Sequence, residues 1–235
     1  MAKWEVILVA GGQGRRMQQP QPKAFLALAG LPLYMYSLRT FAGLPEVSGV
    51  ILVVPAGQAE RAWKEVRQLP DNGKVREIAD AGPRRQDSVR NGMDALSGDA
   101  ELVLVHDAAR PFASAALIRR VAEAAARTGA SVPGLPVVDT LKRVSAEGRI
   151  EGTVDRRNLV AVQTPQGFQS AVLRQAYQHA WKDNLAATDD AGLVELAGQP
   201  VSVVEGEAIN FKITRSHDLE LAEWWIGVKK VNCKP

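Results

Sequence analysis

The 235-residue chain has one cysteine, Cys233. A lone thiol closes no intrachain disulfide and builds no cysteine-rich metal cage, so a reducing cytosol is expected rather than secretion. The three histidines, His106, His179 and His217, are too scattered for a zinc site with recognisable spacing. Long apolar runs are also missing, and none approaches the ~18 residues of a membrane span. Val6–Ala10, after Lys3 and Trp4, imitates a secretory signal, but Glu5 interrupts it and Gly11–Arg16 ends it below a normal length. There is no internal repeat, no low-complexity tract and no contiguous basic stripe of the kind a nucleic-acid binder presents. These absences predict a cytoplasmic protein with neither membrane nor nucleic acid as a partner.

What is present is ordinary for a folded domain: 46% hydrophobic and 23% charged residues, enough to bury a core. The length is about one and a half times the ~150 residues of a typical domain, so a single domain with a small insertion is expected over residues 1–235. Lys plus Arg (29) exceeds Asp plus Glu (26), a net charge of +3 that leaves room for a polyanionic ligand. Short β-branched runs (Val6–Val9, Val50–Val54, Leu102–Val105) alternate with helical patterns (Leu33–Leu44, Glu60–Leu69, Leu117–Thr128). That alternation predicts an α/β fold with a mostly parallel sheet covered on both faces. Asp87 or Ser88 is placed to cap a helix carrying Val89, Met93 and Leu96, and Ser114 to cap one carrying Leu117, Ile118 and Val121.

From about 136 to 162 the alternation breaks. A strand over Val137–Val144, a turn at Ala146–Gly148 and a return strand over Ile150–Val154 predict an inserted β-hairpin. A two-stranded hairpin is marginal alone, so it needs a surface to pack on, such as a second subunit. Beyond it the pattern predicts a helix over Ser170–Trp181, a short helix after Thr188-Asp189-Asp190, strands near Val201–Val204 and Ile209–Ile213, and a last helix from Ser216 into a polar, basic tail from Gly227.

Three segments carry chemistry. Ala10-Gly11-Gly12-Gln13-Gly14-Arg15-Arg16-Met17, with Pro22-Lys23 after it, follows the first strand, where open α/β sheets bind ligands. It matches neither a dinucleotide fingerprint, which would have a glycine at Met17, nor a P-loop, since Lys23 sits between Pro22 and Ala24. A glycine turn with Arg15, Arg16 and Lys23 suits a triphosphate held without a Walker motif. Asp107, at the carboxyl end of Leu102–Val105, suits Mg²⁺, which takes one or two protein oxygens plus phosphates; the alternative is an ion pair with Arg110. His106 is expected to be packed or hydrogen-bonded rather than to bind metal. Ala81-Gly82-Pro83-Arg84-Arg85-Gln86-Asp87-Ser88 feeds a helix N-terminus that can receive a base edge or an anion. No nucleophilic triad is legible, because the Gly-x-Ser start Gly129-Ala130-Ser131 lacks its closing glycine.

Together and in this order, the chain resembles the 2-C-methyl-D-erythritol 4-phosphate cytidylyltransferase family. The pieces that match are Ala10–Met17 with Pro22-Lys23, Gly82–Val89, His106–Pro111, Asp139–Lys142, Val154–Arg156, Thr164–Gln166, Thr188–Asp190 and Asn210–Thr214, spread over residues 5–225. The resemblance implies a three-layer, Rossmann-like nucleotidyltransferase fold, a homodimer joined through an exchanged β-arm, and Mg²⁺-dependent transfer of CMP from CTP to a sugar-alcohol phosphate. It implies Arg16, Lys23, Arg156 and Lys212 as catalytic cations and Asp107 as the metal ligand. Ala10, Gly11, Gly12, Gly14, Arg15, Gly82, Arg85, Ser88, Asp107 and Ala108 would bind the nucleotide, and Arg110, Asp139, Thr140, Arg156, Thr164 and Lys212 the acceptor. The chain departs from the family pattern at Val9-Ala10-Gly11-Gly12, at Pro83, and at Asp190, where a Glu is frequent. A ribitol 5-phosphate cytidylyltransferase would share the fold, nucleotide and most motifs, but Ala108-Ala109 resembles the methylerythritol branch more. A non-catalytic nucleotide-binding module is expected to lose some of Arg16, Lys23, Asp107 and Lys212, and all four are present.

Overall fold

The computed structural model describes residues 3–12, 21–69 and 74–232, the last four as backbone. In chain order its strands are β1 (Trp4–Val9), β2 (Ala27–Leu28), β3 (Leu31–Pro32), β4 (Val47–Val54), β5 (Val75–Asp80), β6 (Leu102–Asp107), β7 (Ala130–Pro136), β8 (Leu141–Val144), β9 (Ile150–Val154), β10 (Val160–Val162), β11 (Gln166–Gln169) and β12 (Ser202–Glu205). The helices are α1 (Leu33–Ala42), α2 (Ala59–Val66), α3 (Arg85–Asp94), α4 (Ala115–Thr128), α5 (Ser170–Lys182), α6 (Asp190–Leu196) and α7 (Ser216–Asn232), with a 3₁₀ turn over Lys23–Phe25.

The main sheet runs β10–β7–β11–β6–β1–β4–β5, with β12 added on β7. β1 lies parallel to β4 and β6, and β4 to β5, while β11 runs antiparallel to both β6 and β7. The period-two geometry of a strand sends successive side chains to opposite faces, and both faces are covered here. Val6, Leu8, Val50, Leu52 and Leu104 pack under α1, α2 and α4. Ile7, Ile51, Val53, Val103 and Val105 pack under α3, α5 and α6. This is the expected three-layer α/β architecture. Glu5, fully buried in β1, is neutralised by Arg76 from β5 and accepts the Ser97 N–H at 2.8 Å.

Several elements differ from expectation. Ile209–Ile213 is a loop rather than a strand. Its apolar residues pack without pairing: Phe211 stacks on Phe112 at 5.6 Å, and Ile213 is buried while its N–H donates to Ala109 O at 2.8 Å. β7 and β11 had no expected counterparts, because Pro133 and Gly134 interrupt the first and Gly167, just after Pro165, the second; β10 lay within the expected insertion and instead pairs with β7. The hairpin is narrower than 136–162. Pro136 and Val160–Val162 pair within the main sheet, so the projecting part is β8–β9 with its turn at Gly148, and the first strand starts at Leu141 rather than Val137. Arg84, neither Asp87 nor Ser88, occupies the N-cap position of α3 and makes no side-chain cap bond; Asp87 instead reaches back to accept the Arg84 N–H at 3.1 Å. Ser114 caps α4 as expected, accepting from Leu117 N. The final helix continues past Gly227 to Asn232, so the expected tail is helical over that stretch.

Candidate active site

The parallel register pairs Val9 with Asp107, so the glycine turn after β1 and the segment after β6 leave the sheet side by side. Backbone bonds fasten these exits: Ala10 N–H to Val53 O at 2.7 Å, Ala81 N–H to Val54 O at 2.7 Å and Ala108 N–H to Val9 O at 2.9 Å. Two glycines permit the close approach. A Cβ on Gly11 would stand 2.2 Å from the Ala81 Cβ, and one on Gly82 would stand 2.4 Å from the Asp87 Cβ. Ser88 finishes the turn, accepting the Gly82 N–H at 3.1 Å and donating to Arg84 O at 3.0 Å.

Between these loops lies a cavity of about 490 Å³. Its described lining includes Ala10, Gly11, Gly12, Lys23, Gly82, Arg84, Arg85, Ser88, Asp107, Ala108 and Lys212. Lys23, Arg84, Arg85 and Lys212 face it beside one carboxylate, a donor set suited to a polyanion, with Arg84 paired to Asp87 and Arg85 to Asp190 behind. Lys23 Nζ donates to Ile213 O at 2.9 Å, which ties the glycine-loop side of the cavity to the loop carrying Lys212.

Asp107 is held between two cations, Arg85 Nε at 3.0 Å and Lys212 Nζ at 2.5 Å. Burial alone would raise its carboxyl, but the charges and hydrogen bonds of Arg85 and Lys212 prevail and hold it well below the usual carboxylate range. Arg85 Nη1 also pairs with Asp190 at 2.8 Å. Behind Asp107, Thr164 Oγ1 accepts its N–H at 3.0 Å and contacts His106 Nδ1 at 3.2 Å. His106 Nε2 lies 3.0 Å from Arg110 O, and a carbonyl only accepts, so the ring proton sits on Nε2 and Thr164 donates to Nδ1. Burial pushes the imidazole down to about 4, which keeps it neutral. His106 is thus packed and hydrogen-bonded, as expected.

The remaining expected residues divide. Arg110 does not pair with Asp107; its Nη1 donates to Asn210 O at 2.8 Å. Thr164 is buried behind the cavity wall. Asp139, Thr140 and Arg156 lie exposed at the hairpin, away from this chain's cavity, with Arg156 donating to Val138 O. Gly14, Arg15 and Arg16 fall outside the described residues. Sequence reasoning gave no role to Asp190, Tyr177 or Gln166. The first is fully buried, accepts the Tyr177 hydroxyl at 2.6 Å and faces Arg85. The signals were the Thr188-Asp189-Asp190 and Thr164-Pro165-Gln166 pieces, with nothing to single out Tyr177.

For a metal, Asp107 is the carboxylate lining the cavity, and among the described residues no three His, Cys, Asp or Glu gather to hold an ion. That donor set fits Mg²⁺, which takes one or two protein carboxylates and completes its shell with phosphates and water; it does not fit a metal needing an all-protein cage. Among the described residues no helix is long and apolar enough to cross a membrane.

Residues 4–227 match the family model described as IspD: 2-C-methyl-D-erythritol 4-phosphate cytidylyltransferase. The chain is 40% identical over 217 residues to the 2-C-methyl-D-erythritol 4-phosphate cytidylyltransferase of Syntrophus aciditrophicus, covering 92% of this chain and 93% of that one. It is 48% identical over 231 residues to a bifunctional IspD/IspF enzyme of Solidesulfovibrio magneticus, covering 95% of this chain but 57% of that protein, so it spans a little over half of that relative. Among solved structures, the Thermus thermophilus 2-C-methyl-D-erythritol 4-phosphate cytidylyltransferase superposes with a TM-score of 0.77 at 40% identity, covering 94% of this chain and 98% of that one. The 4-diphosphocytidyl-2C-methyl-D-erythritol synthase of Anaerococcus prevotii gives 0.84 at 27% identity, covering 96% of each chain.

Proposed function

The chain belongs to the 2-C-methyl-D-erythritol 4-phosphate cytidylyltransferase family, and from that premise we propose that it transfers CMP from CTP to 2-C-methyl-D-erythritol 4-phosphate, releasing pyrophosphate, in isoprenoid precursor synthesis. The observation that carries this reading is the cavity at the strand ends, where Lys23, Arg85 and Lys212 converge around a single ionised carboxylate.

The acceptor is a phosphate monoester with a second pKa near ~6, so it is largely ionised at neutral pH and needs no strong base. One of its oxygens bonds to the α-phosphorus of CTP while the bond from that phosphorus to the bridging oxygen breaks and pyrophosphate leaves. The barrier is the approach of two anions, and fixed cations lower it by stabilising charge in the transition state. Lys23 binds the triphosphate at the glycine turn. Lys212 is the more exposed partner on Asp107, its side chain 35% accessible against 11%, so an incoming phosphate can compete for its ammonium. Arg16 joins these cations in this reading. Gly12, Gly82 and Ser88 shape the cytosine side, and Pro83 offers no N–H there. Mg²⁺, held by Asp107, would neutralise phosphate oxygens and orient the triphosphate.

The acceptor side is assembled from two chains in this proposal. Val138, Val144 and Ile150 of the hairpin region are 81%, 51% and 66% exposed, an apolar arm suited to a second copy of the chain. Asp139, Thr140 and Arg156 would thereby reach a neighbour's acceptor site, with Arg110 contributed in cis, while Thr164 braces Asp107 from behind. The single cysteine fits a cytoplasmic setting. Pyrophosphate release is the test, measured with CTP, Mg²⁺ and either 2-C-methyl-D-erythritol 4-phosphate or ribitol 5-phosphate. Turnover with the first and little with the second is expected; the reverse preference, or no release with either, overturns the proposal.

A further inference from the structure

We propose that Asp190, backed by Tyr177, is a positioning residue for CTP: it anchors the Arg85 guanidinium from behind, and Arg85 in turn fixes Asp107 at the cavity. Asp190 is 1% exposed and does not line the cavity. A buried carboxylate is costly unless paired, and a purely structural position would be served as well by an apolar side chain. Here the charges form a chain that closes to zero, with Lys212 and Arg85 positive and Asp107 and Asp190 negative.

The geometry makes Arg85 the middle link. Its Nε meets Asp107 at 3.0 Å in front and its Nη1 meets Asp190 at 2.8 Å behind. Both anchors sit on rigid elements. Asp107 ends β6. Asp190 opens α6, whose first turn is pinned to the sheet because Asp189 accepts from Gly192 N at 3.0 Å and from Gln166 Nε2 at 2.7 Å, while Gln166 Oε1 accepts from Ala191 N at 3.1 Å. Tyr177, 5% exposed on α5, donates its hydroxyl to Asp190 Oδ1 at 2.6 Å and fixes the carboxylate's rotation. With Asp190 gone, two cations would share one carboxylate. Arg85 would then lose the anchor that holds its flexible stem in one orientation beside the nucleotide cavity.

The inference rests on the transfer activity proposed above, and the test separates the two. Steady-state kinetics with CTP and acceptor varied separately are run on the wild type, Asp190→Asn, Asp190→Glu and Tyr177→Phe, with thermal midpoints alongside. Asp190→Asn is expected to raise the KM for CTP about tenfold, the scale of one lost charge-assisted contact, with the acceptor KM unchanged. Asp190→Glu, which keeps the charge, restores the CTP KM. Tyr177→Phe keeps the packing and is expected to raise the CTP KM about threefold, a fraction of one such contact, so it decides the matter if Asp190→Asn does not fold. A fall in kcat that only tracks the folded fraction, with both KM values fixed, overturns the inference alone. A wild type without pyrophosphate release removes the activity reading and this inference with it.

Discussion

Lys212 sits in the apolar segment Ile209–Ile213 and pairs with Asp107. A lysine inside an apolar segment must leave the packed face or find an anion, and it does find one, Asp107 at 2.5 Å. The supposed strand around it is a loop, because its apolar neighbours pack between elements rather than along a ladder. Asp107, Lys23 and the glycines were readable from position relative to strand ends. Asp190 was not, since its partners Arg85 and Tyr177 lie far off in sequence and meet it only through packing. Replacing Lys212 or Lys23 by Ala is expected to lower kcat/KM about 10²-fold, the usual loss when a fixed charge is removed from a transition state. The thermal midpoint should hold, because Asp107 keeps Arg85; near-normal turnover in a folded variant would reject the role. His106 gives a second prediction. Its folded value lies at about 4 against 6.5 for a free imidazole, so the unfolded chain takes up the proton first. Stability is full above pH 6.5 and falls as pH drops toward 4, by up to about 3 kcal/mol. Denaturant unfolding across that window should show the loss, and His106→Gln should flatten it.

At the scale of elements, two helices beside the site begin in the same unexpected way. α3 follows Arg84 and α7 follows Arg215, and in each an aspartate three residues on reaches back, Asp87 to the Arg84 N–H and Asp218 to the Arg215 N–H at 2.8 Å. The sequence rule for such boxes looks for Ser or Thr at the cap, so arginine there hid the first boundary, although the second helix was expected from Ser216. Asp218 also accepts from the Thr214 N–H at 2.7 Å and hydroxyl at 2.8 Å. It therefore secures the loop that carries Lys212 as well as the helix. Asp218→Ala is expected to reduce stability by about 1–2 kcal/mol, as for loss of a helix cap, and to reduce activity more than a remote substitution of equal cost. Urea unfolding and kinetics on the same preparation check both; a stability loss with unchanged kcat/KM would separate α7 from the site. The central strands β1, β4 and β6 were legible because burial on both faces makes them continuously apolar. β7 and β11 were not, because prolines and glycines interrupt them while partners on either side supply the pairing; β10 is only three residues long.

In the molecule as a whole, Asp139, Thr140 and Arg156 stand apart from the cavity holding Lys212 in a single chain. An arm exchanged about a two-fold axis would bring each chain's Arg156 to the other's Lys212, and symmetry then makes a sharp statement about mixed dimers. Lys212→Ala and Arg156→Ala are each expected to lose about 10²-fold alone, because every site then lacks one cation. In a dimer of one Lys212→Ala chain and one Arg156→Ala chain, one site has lost both residues and the other has kept both. Tandem purification isolates the mixed dimers, each with one intact site of two, so about half of wild-type activity should return. If Arg156 served its own chain's cavity, every site in the mixed dimer would lack one residue and no activity would return. Co-expression of differently tagged chains, tandem purification of the mixed dimer and the pyrophosphate assay distinguish the outcomes. Val144→Ser with Ile150→Ser, which strips apolar surface from the arm, should abolish the recovery by preventing the pairing, while sedimentation shows a monomer whose α/β core still unfolds cooperatively.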